Sequence, residues 1–328
     1  MNGLVWVGCY TAGAGGEGQG VVAAWRDPDT GTLTGGGAAI PTPSPSWLVR
    51  HPSLPVVYAV NETEQGAVRA WSIHDGEPPV LLGAATTGGS LPCHLAVHPD
   101  GWLITAEYGS GTVCVHQLDE IGAPVWRTDI VRHHAERGEP HAHMAYVHRD
   151  GSVLAVDLGA DAVFRYTLSE DGRLVPAGAR AMPPGSGPRH LVVVDGVVHV
   201  VGEYDACVTS YRLADGAHIS RVPTTTSSVE CHPSEIVVSP DGRFLYVANR
   251  GPDTVAVFAL DRECPRFVGE VTGGGHWPRH LALIGDHLYV ANQRSHSVVV
   301  LRVDPATGIP EIAGPALAVP SPACVLPL

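Results

Sequence analysis

The sequence predicts an all-β fold, a seven-bladed β-propeller, on three observations. Seven prolines, Pro45, Pro92, Pro140, Pro188, Pro233, Pro278 and Pro322, recur 47, 48, 48, 45, 45 and 44 residues apart. Each of the first six opens a short apolar run, a tight turn, a second apolar run ending in polar residues, and a third run carrying an aromatic. The seventh copy stops after one run, and residues 4–10 read as its missing second strand. Units of about 40 to 50 residues with roughly four strands each mark propeller blades, which bury their faces against their neighbours.

Taken in order, residues 4–10 and 21–25 supply two strands that the copy opened by Pro322 lacks, so the termini are expected to complete one blade and close the ring. Closure removes exposed strand edges. The copy opened by Pro92 runs through His98-Pro99-Asp100-Gly101 into a second strand ending at Glu107, and that opened by Pro233 runs through Pro240-Asp241-Gly242 into one ending at Arg250. Pro-Asp-Gly is hairpin chemistry, because proline fixes its own φ and glycine accepts a positive one. The copy after Pro140 departs from the template by two extra residues before its Asp150-Gly151 turn. A single period from end to end argues for one domain over residues 1–328.

Composition narrows the function. Thirty-nine glycines and 28 prolines suit a turn-dense chain, and the one helical candidate, residues 132–137, is short and polar. A formal net charge of −13 argues against nucleic acid, which needs clustered cations. All 20 basic residues are arginine, so a lysine base or Schiff base is excluded, whereas carboxylate or phosphate capture is favoured. Seven cysteines without a C-x-x-C pair suggest neither a disulfide framework nor a zinc cluster, and a reducing cytoplasm is expected. No apolar run approaches the ~20 residues of a membrane helix, so no membrane partner is expected. A closed ring has no obligate partner, and a monomer is the expectation.

Hairpin geometry selects the candidate site. The start of each first strand and the end of each second strand must meet at one end of the blade. The starts supply Trp47, His94, His141 with His143, Arg189 with His190, Glu235, Arg279 with His280, and Cys324. The ends supply Tyr10, Asn61-Glu62, Glu107-Tyr108, Asp157, Glu203-Tyr204, Asn249-Arg250, and Asn292 with Arg294. Acids, bases and guanidinium groups thus converge on one rim of the channel.

Several segments, in order, carry a resemblance: Pro-His-Ala-His at 140–143, Asp-Leu-Gly-Ala-Asp at 157–161, Gly-Pro-Arg-His at 187–190, Glu203-Tyr204, Asn-Arg-Gly at 249–251, Pro-Arg-His at 278–280 and Ala-Asn-Gln at 291–293. Together they resemble the seven-bladed β-propeller lactonase family, which includes propeller-type bacterial 6-phosphogluconolactonases and fungal carboxymuconate cyclases. The resemblance covers essentially the whole chain. It implies a channel-mouth site with His143 or His141, Arg189, Glu203, and Arg250 or Arg279, and no cofactor.

These residues suit lactone opening, in which a base takes a proton from water and donors hold the oxyanion. His143, His141, Arg189 and Glu203 are the catalytic candidates. Arg250, Arg279, Glu62, Glu107, His190, His280, Asn249 and Asn292 are the candidates for binding an anionic small molecule. A cyclase closing an unsaturated acid would use the same parts, and a propeller scaffold is the reading from another class. His141 and His143 share a face and could hold a metal with Glu203 or Asp157, but no third ligand has persuasive spacing, and none is expected. The recurring histidines His94, His190 and His280 also suit a structural role. Asp157 and Asp161 read as turn or blade-linking acids, and His133-His134 as solvated surface.

Overall fold

Where each predicted hairpin falls, the computed structural model, which describes residues 3–35, 39–74, 76–261 and 264–328, forms a small antiparallel sheet. Seven such sheets follow one another as blades. The innermost strands of blades I to VI are Leu48–Arg50, Pro92–His98, Ala142–Val147, Pro188–Val194, His232–Val238 and Pro278–Ile284. Their second strands are Val56–Asn61, Trp102–Glu107, Val153–Asp157, Val197–Gly202, Phe244–Arg250 and His287–Asn292. The hairpin between them can be very tight. In blade IV, Val194 pairs with Val197 and only Asp195 and Gly196 turn the chain, both at positive φ, as a two-residue primed turn demands.

Blade VII joins the two ends of the chain. Its innermost strand is Pro322–Pro327, which pairs antiparallel with Leu4–Cys9, and Gly20–Arg26 follows outside. Period-2 alternation sends the side chains of each second strand into two different interblade spaces. In blade II, Trp102, Ile104 and Ala106 pack towards blade III, while Leu103 packs towards blade I. Seven apolar clusters result, one between each consecutive pair of blades, including blades VII and I, where Trp6, Val21 and Cys324 meet Leu48, Val57 and Trp71.

The ring is therefore held shut by a strand from its far end. Removing residues 322–328 would strip buried Ala323, Cys324 and Val325 from the blade and leave Leu4–Cys9 with an open edge. The shortened chain is expected to lose its cooperative thermal transition, as read by circular dichroism. An unchanged melting profile would contradict the account of closure.

The extra length of the third copy has a local explanation. Ala142 pairs with Asp157 just as Pro92 pairs with Glu107, so Ala142 occupies the register that proline holds in blade II, and Pro140 lies two residues outside the sheet.

Candidate active site

Two tiers of side chains line the channel, set by register. The residue after each strand-opening position forms the mouth tier: Ser46, Cys93, His143, Arg189, Ser234, Arg279 and Ala323. The next residue forms the floor at Trp47, His94, His190, Glu235 and His280, while the corresponding Met144 and Cys324 pack in apolar clusters between blades. A small cavity opens between the tiers, lined by Ser46, Trp47, Cys93, Arg189, His190, Arg279 and Ala323.

The mouth is an alternating array of cations and acceptors. Glu203 Oε2 lies 3.0 Å from Arg189 Nε and 2.8 Å from Arg250 Nη2. Burial alone would raise the Glu203 pKa, but the guanidinium groups of Arg250 and Arg189 outweigh it and hold the carboxyl below its usual range. Arg250 is fixed by donating Nε to the His232 carbonyl at 2.8 Å, and burial together with Arg189 pushes it down to about 10. Across the channel, Arg279 donates to the Tyr10 hydroxyl, which donates onward to Glu62 at 2.7 Å. Arg189 also donates to the Ser234 carbonyl. All three arginines are thus rigidly aimed before any substrate arrives.

His143 is buried beside them, and its Nδ1 has no partner among the described residues. Burial first, then Arg189, His190 and Arg279, push its pKa well below 6.5, so it is neutral near pH 7. His141 sits just outside the strand. Its backbone N–H donates to Asp157, its Nδ1 donates to the Tyr108 carbonyl at 2.8 Å, and its ring stacks on Tyr108 at 4.5 Å.

The floor is a plug of rings around one acid. Trp47 packs against His94 at 4.1 Å, His280 at 5.0 Å and His190 at 5.3 Å. Glu235 joins His190 Nδ1 at 2.9 Å and approaches His280 Nε2 at 3.6 Å. Burial drives the Glu235 pKa up and lowers His94, His190 and His280, the last to about 4. His190 reaches the cavity wall, whereas His280 lies beneath it and is not a lining residue.

Besides His280, three predicted binding residues are not at the mouth. Glu107, Asn249 and Asn292 end second strands at the position paired with the strand-opening proline, and strand alternation turns that position between the blades. Asn249 Nδ2 donates to the Thr224 carbonyl and Asn292 Nδ2 to that of Gly273, as Asn61 does to Pro43. Glu107 is buried among Thr105, Ser110 and Thr112, and burial raises its pKa. The following residue in each chain segment, Glu62, Tyr108, Glu203 or Arg250, is the one that faces the channel. Asp157 and Asp161 do link chain segments, Asp161 accepting from Gly185 and Gly187. His133 is not surface: it is buried, donates to Asp157 at 2.7 Å and stacks on Phe164, whereas His134 is exposed.

Tyr10 has a larger part than its sequence position suggests, since it links Arg279 to Glu62, and Trp277 joins the mouth as a further ring. The indole lies 5.4 Å from the Arg250 guanidinium and 3.5 Å from that of Arg294. Its only sequence signal is its place directly before Pro278. Among the described residues no three His, Cys, Asp or Glu side chains form a metal-ligand set.

Comparison with known proteins places this geometry. Residues 4–327 match the family described as lactonase, 7-bladed beta-propeller. The chain belongs to that family. A 6-phosphogluconolactonase of Bacillus subtilis is 29% identical, with 98% of this chain and 97% of the relative covered. A 6-phosphogluconolactonase of Formosa agariphila is 27% identical over 80% of this chain and 82% of its own. The solved periplasmic gluconolactonase of Pseudomonas aeruginosa superimposes with a TM-score of 0.92 at 25% identity, covering 98% of both chains. Within the family, the mouth described here combines three preset guanidinium groups with a neutral imidazole, an arrangement able to hold an anion and to accept a proton.

Proposed function

We propose that the protein is a lactonase that hydrolyses an anionic sugar lactone at the channel mouth. The observation that carries this reading is that Arg189 and Arg279 line the cavity while Glu203, Arg250 and neutral His143 gather beside Arg189. The names of the relatives, 6-phosphogluconolactonase and gluconolactonase, support the substrate class.

In this reading the lactone carbonyl oxygen points at Arg189 and Arg279. His143 takes a proton from the attacking water as its oxygen bonds to the carbonyl carbon. The tetrahedral oxyanion is held by guanidinium donors already in place, which costs no reorganisation. Collapse breaks the ring C–O bond, and the imidazolium returns its proton to the leaving alkoxide, giving the hydroxy acid. Glu203 serves as the orienting acid for Arg189 and Arg250, because a carboxylate held ionised between two cations is a weak base. His141 positions Tyr108 on the wall, and Glu62 holds Arg279 through Tyr10.

A cytoplasmic, monomeric protein completes the proposal. Its seven free cysteines support a reducing compartment. The test is turnover of δ-gluconolactone, 6-phosphogluconolactone and carboxymuconate by purified protein, read as proton release for hydrolysis and proton uptake for cyclisation. Hydrolysis of a gluconolactone is expected. Turnover of carboxymuconate alone would replace the hydrolase with a cyclase, and turnover of none would remove the proposal.

A further inference from the structure

Three of the four arginines at the mouth are already engaged, through two carboxylates. Arg189 and Arg250 share Glu203, and Arg279 is linked to Glu62 through Tyr10. Arg294 is different. It is exposed, no carboxylate pairs with it among the described residues, and its guanidinium lies flat against the Trp277 ring, 3.5 Å from the centroid. Stacking holds a guanidinium in place through its face and leaves its N–H edges free for an anion.

The shelf beneath it is built rather than incidental. Five blades carry a positive φ directly before the strand-opening proline, at Ser44, Leu91, Gly187, Trp277 and Ser321. Only one of these is a bulky aromatic, a residue type for which that conformation is a true outlier. Trp277 is kept there by its N–H donating to Asp253 at 2.8 Å and by its carbonyl accepting from Gln293 at 3.0 Å. The Arg294 N–H donates to the His276 carbonyl at 3.1 Å, which ties the two segments together. The other face of the mouth is reached through the same indole, since Arg250 lies 5.4 Å from it. The backbone conformation belongs to the blade template, and what this position adds is an aromatic ring that carries a guanidinium at the edge of the candidate site.

We propose that Arg294, carried on Trp277, binds the phosphate monoester at the far end of a phosphorylated sugar lactone and so sets preference for phosphorylated over unphosphorylated substrate. This rests on the lactonase reading. A chain with net charge −13 repels a phosphate dianion at long range, so an unmatched guanidinium at the entrance is where a local attraction is needed. At the carbonyl end Arg189, Arg250 and Arg279 already engage Glu203 and, through Tyr10, Glu62, whereas Arg294 engages no carboxylate among the described residues.

The experiment compares kcat/KM for 6-phosphogluconolactone and δ-gluconolactone in the wild type, Arg294→Ala, Arg294→Lys and Trp277→Leu. One lost charged hydrogen-bonding contact should lower the ratio of the two specificity constants roughly 10- to 100-fold in Arg294→Ala, through KM, with partial recovery in Arg294→Lys. Trp277→Leu should lower it as well. An unchanged ratio, or an equal loss on both substrates, overturns the proposal. Calorimetric titration with 6-phosphogluconate runs alongside and needs no turnover. If neither lactone is hydrolysed, the hydrolase reading fails, while weaker 6-phosphogluconate binding in Arg294→Ala still supports the phosphate contact and equal or absent binding in both proteins overturns it.

Discussion

Arg189→Ala is expected to lower kcat/KM on a gluconolactone by about 10²- to 10³-fold, the loss that follows removal of one preorganised oxyanion donor. The side chain is only 3% exposed and lines the cavity, and its Nε is 3.0 Å from Glu203. Two effects must be separated. Removing one partner of a buried ion pair also destabilises the fold, by about 3–5 kcal/mol in a fully buried case, although Arg250 still holds Glu203 and reduces that cost. Thermal melting of the variant distinguishes lost catalysis from lost folding. Glu107→Gln is the matched control, because Glu107 is a buried acid packed between blades among hydroxyl groups and raised towards its neutral form. Its kcat/KM should stay near the wild-type value. An active, folded Arg189→Ala protein would remove the arginine from the chemistry.

Acid should destabilise the protein well before its carboxylates titrate. Burial is the leading cause that holds His51, His94, His116, His143, His190, His199 and His280 below 6.5 in the folded state, with His199 and His280 at about 4. The unfolded chain therefore binds protons between pH 6.5 and 4 that the native chain refuses. Stability is fully present above pH 6.5 and falls as pH drops through this window. Each such histidine contributes a slope of up to about 1.4 kcal/mol per pH unit. Glu107, Asp205 and Glu235 act in the opposite sense, since burial raises their pKa values and native protonation on acidification relieves buried charge. Three acids do not offset seven imidazoles. The urea midpoint is expected to fall steadily from pH 6.5 to 4.5, and His199→Gln, away from the mouth, should flatten the fall by one histidine's share. A flat midpoint over this range would contradict the burial argument.

The architecture was legible because it depends on local signals repeated many times. Pro-Asp-Gly and Asp-Gly turns fixed the hairpins, and the blade period fixed the number of sheets. Even the shared blade followed from a copy that stopped after one strand, as the pairing of Val325 with Val7 shows. The site was legible only by rim. Segments such as Asn249-Arg250 and Glu107-Tyr108 were read as pairs facing the channel, but neighbours on a strand point to opposite sides. The residue opposite the strand-opening proline goes between blades and clamps the preceding connection, and the next turns to the mouth. Counting from the proline would have separated Asn249 from Arg250.

Long-range packing hid the remainder. His133 looks solvated beside charged neighbours, and nothing nearby in sequence shows that Asp157 and Phe164 enclose it. Trp277 and Arg294 are 17 residues apart and meet only because adjacent loops of blade VI are tied by backbone hydrogen bonds. The floor tier is a similar case. His190, Glu235 and His280 come from three successive blades, and their contact depends on how neighbouring blades pack rather than on any local motif.

A crystal structure with 6-phosphogluconate, the hydrolysis product, bound to the protein tests the central assignment most directly. The account places the product carboxylate within hydrogen-bonding distance of Arg189 and Arg279, at the cavity between the mouth and floor tiers, with His143 beside the former ring oxygen. Product bound on an outer face of the blades, with that cavity unaltered, would contradict it.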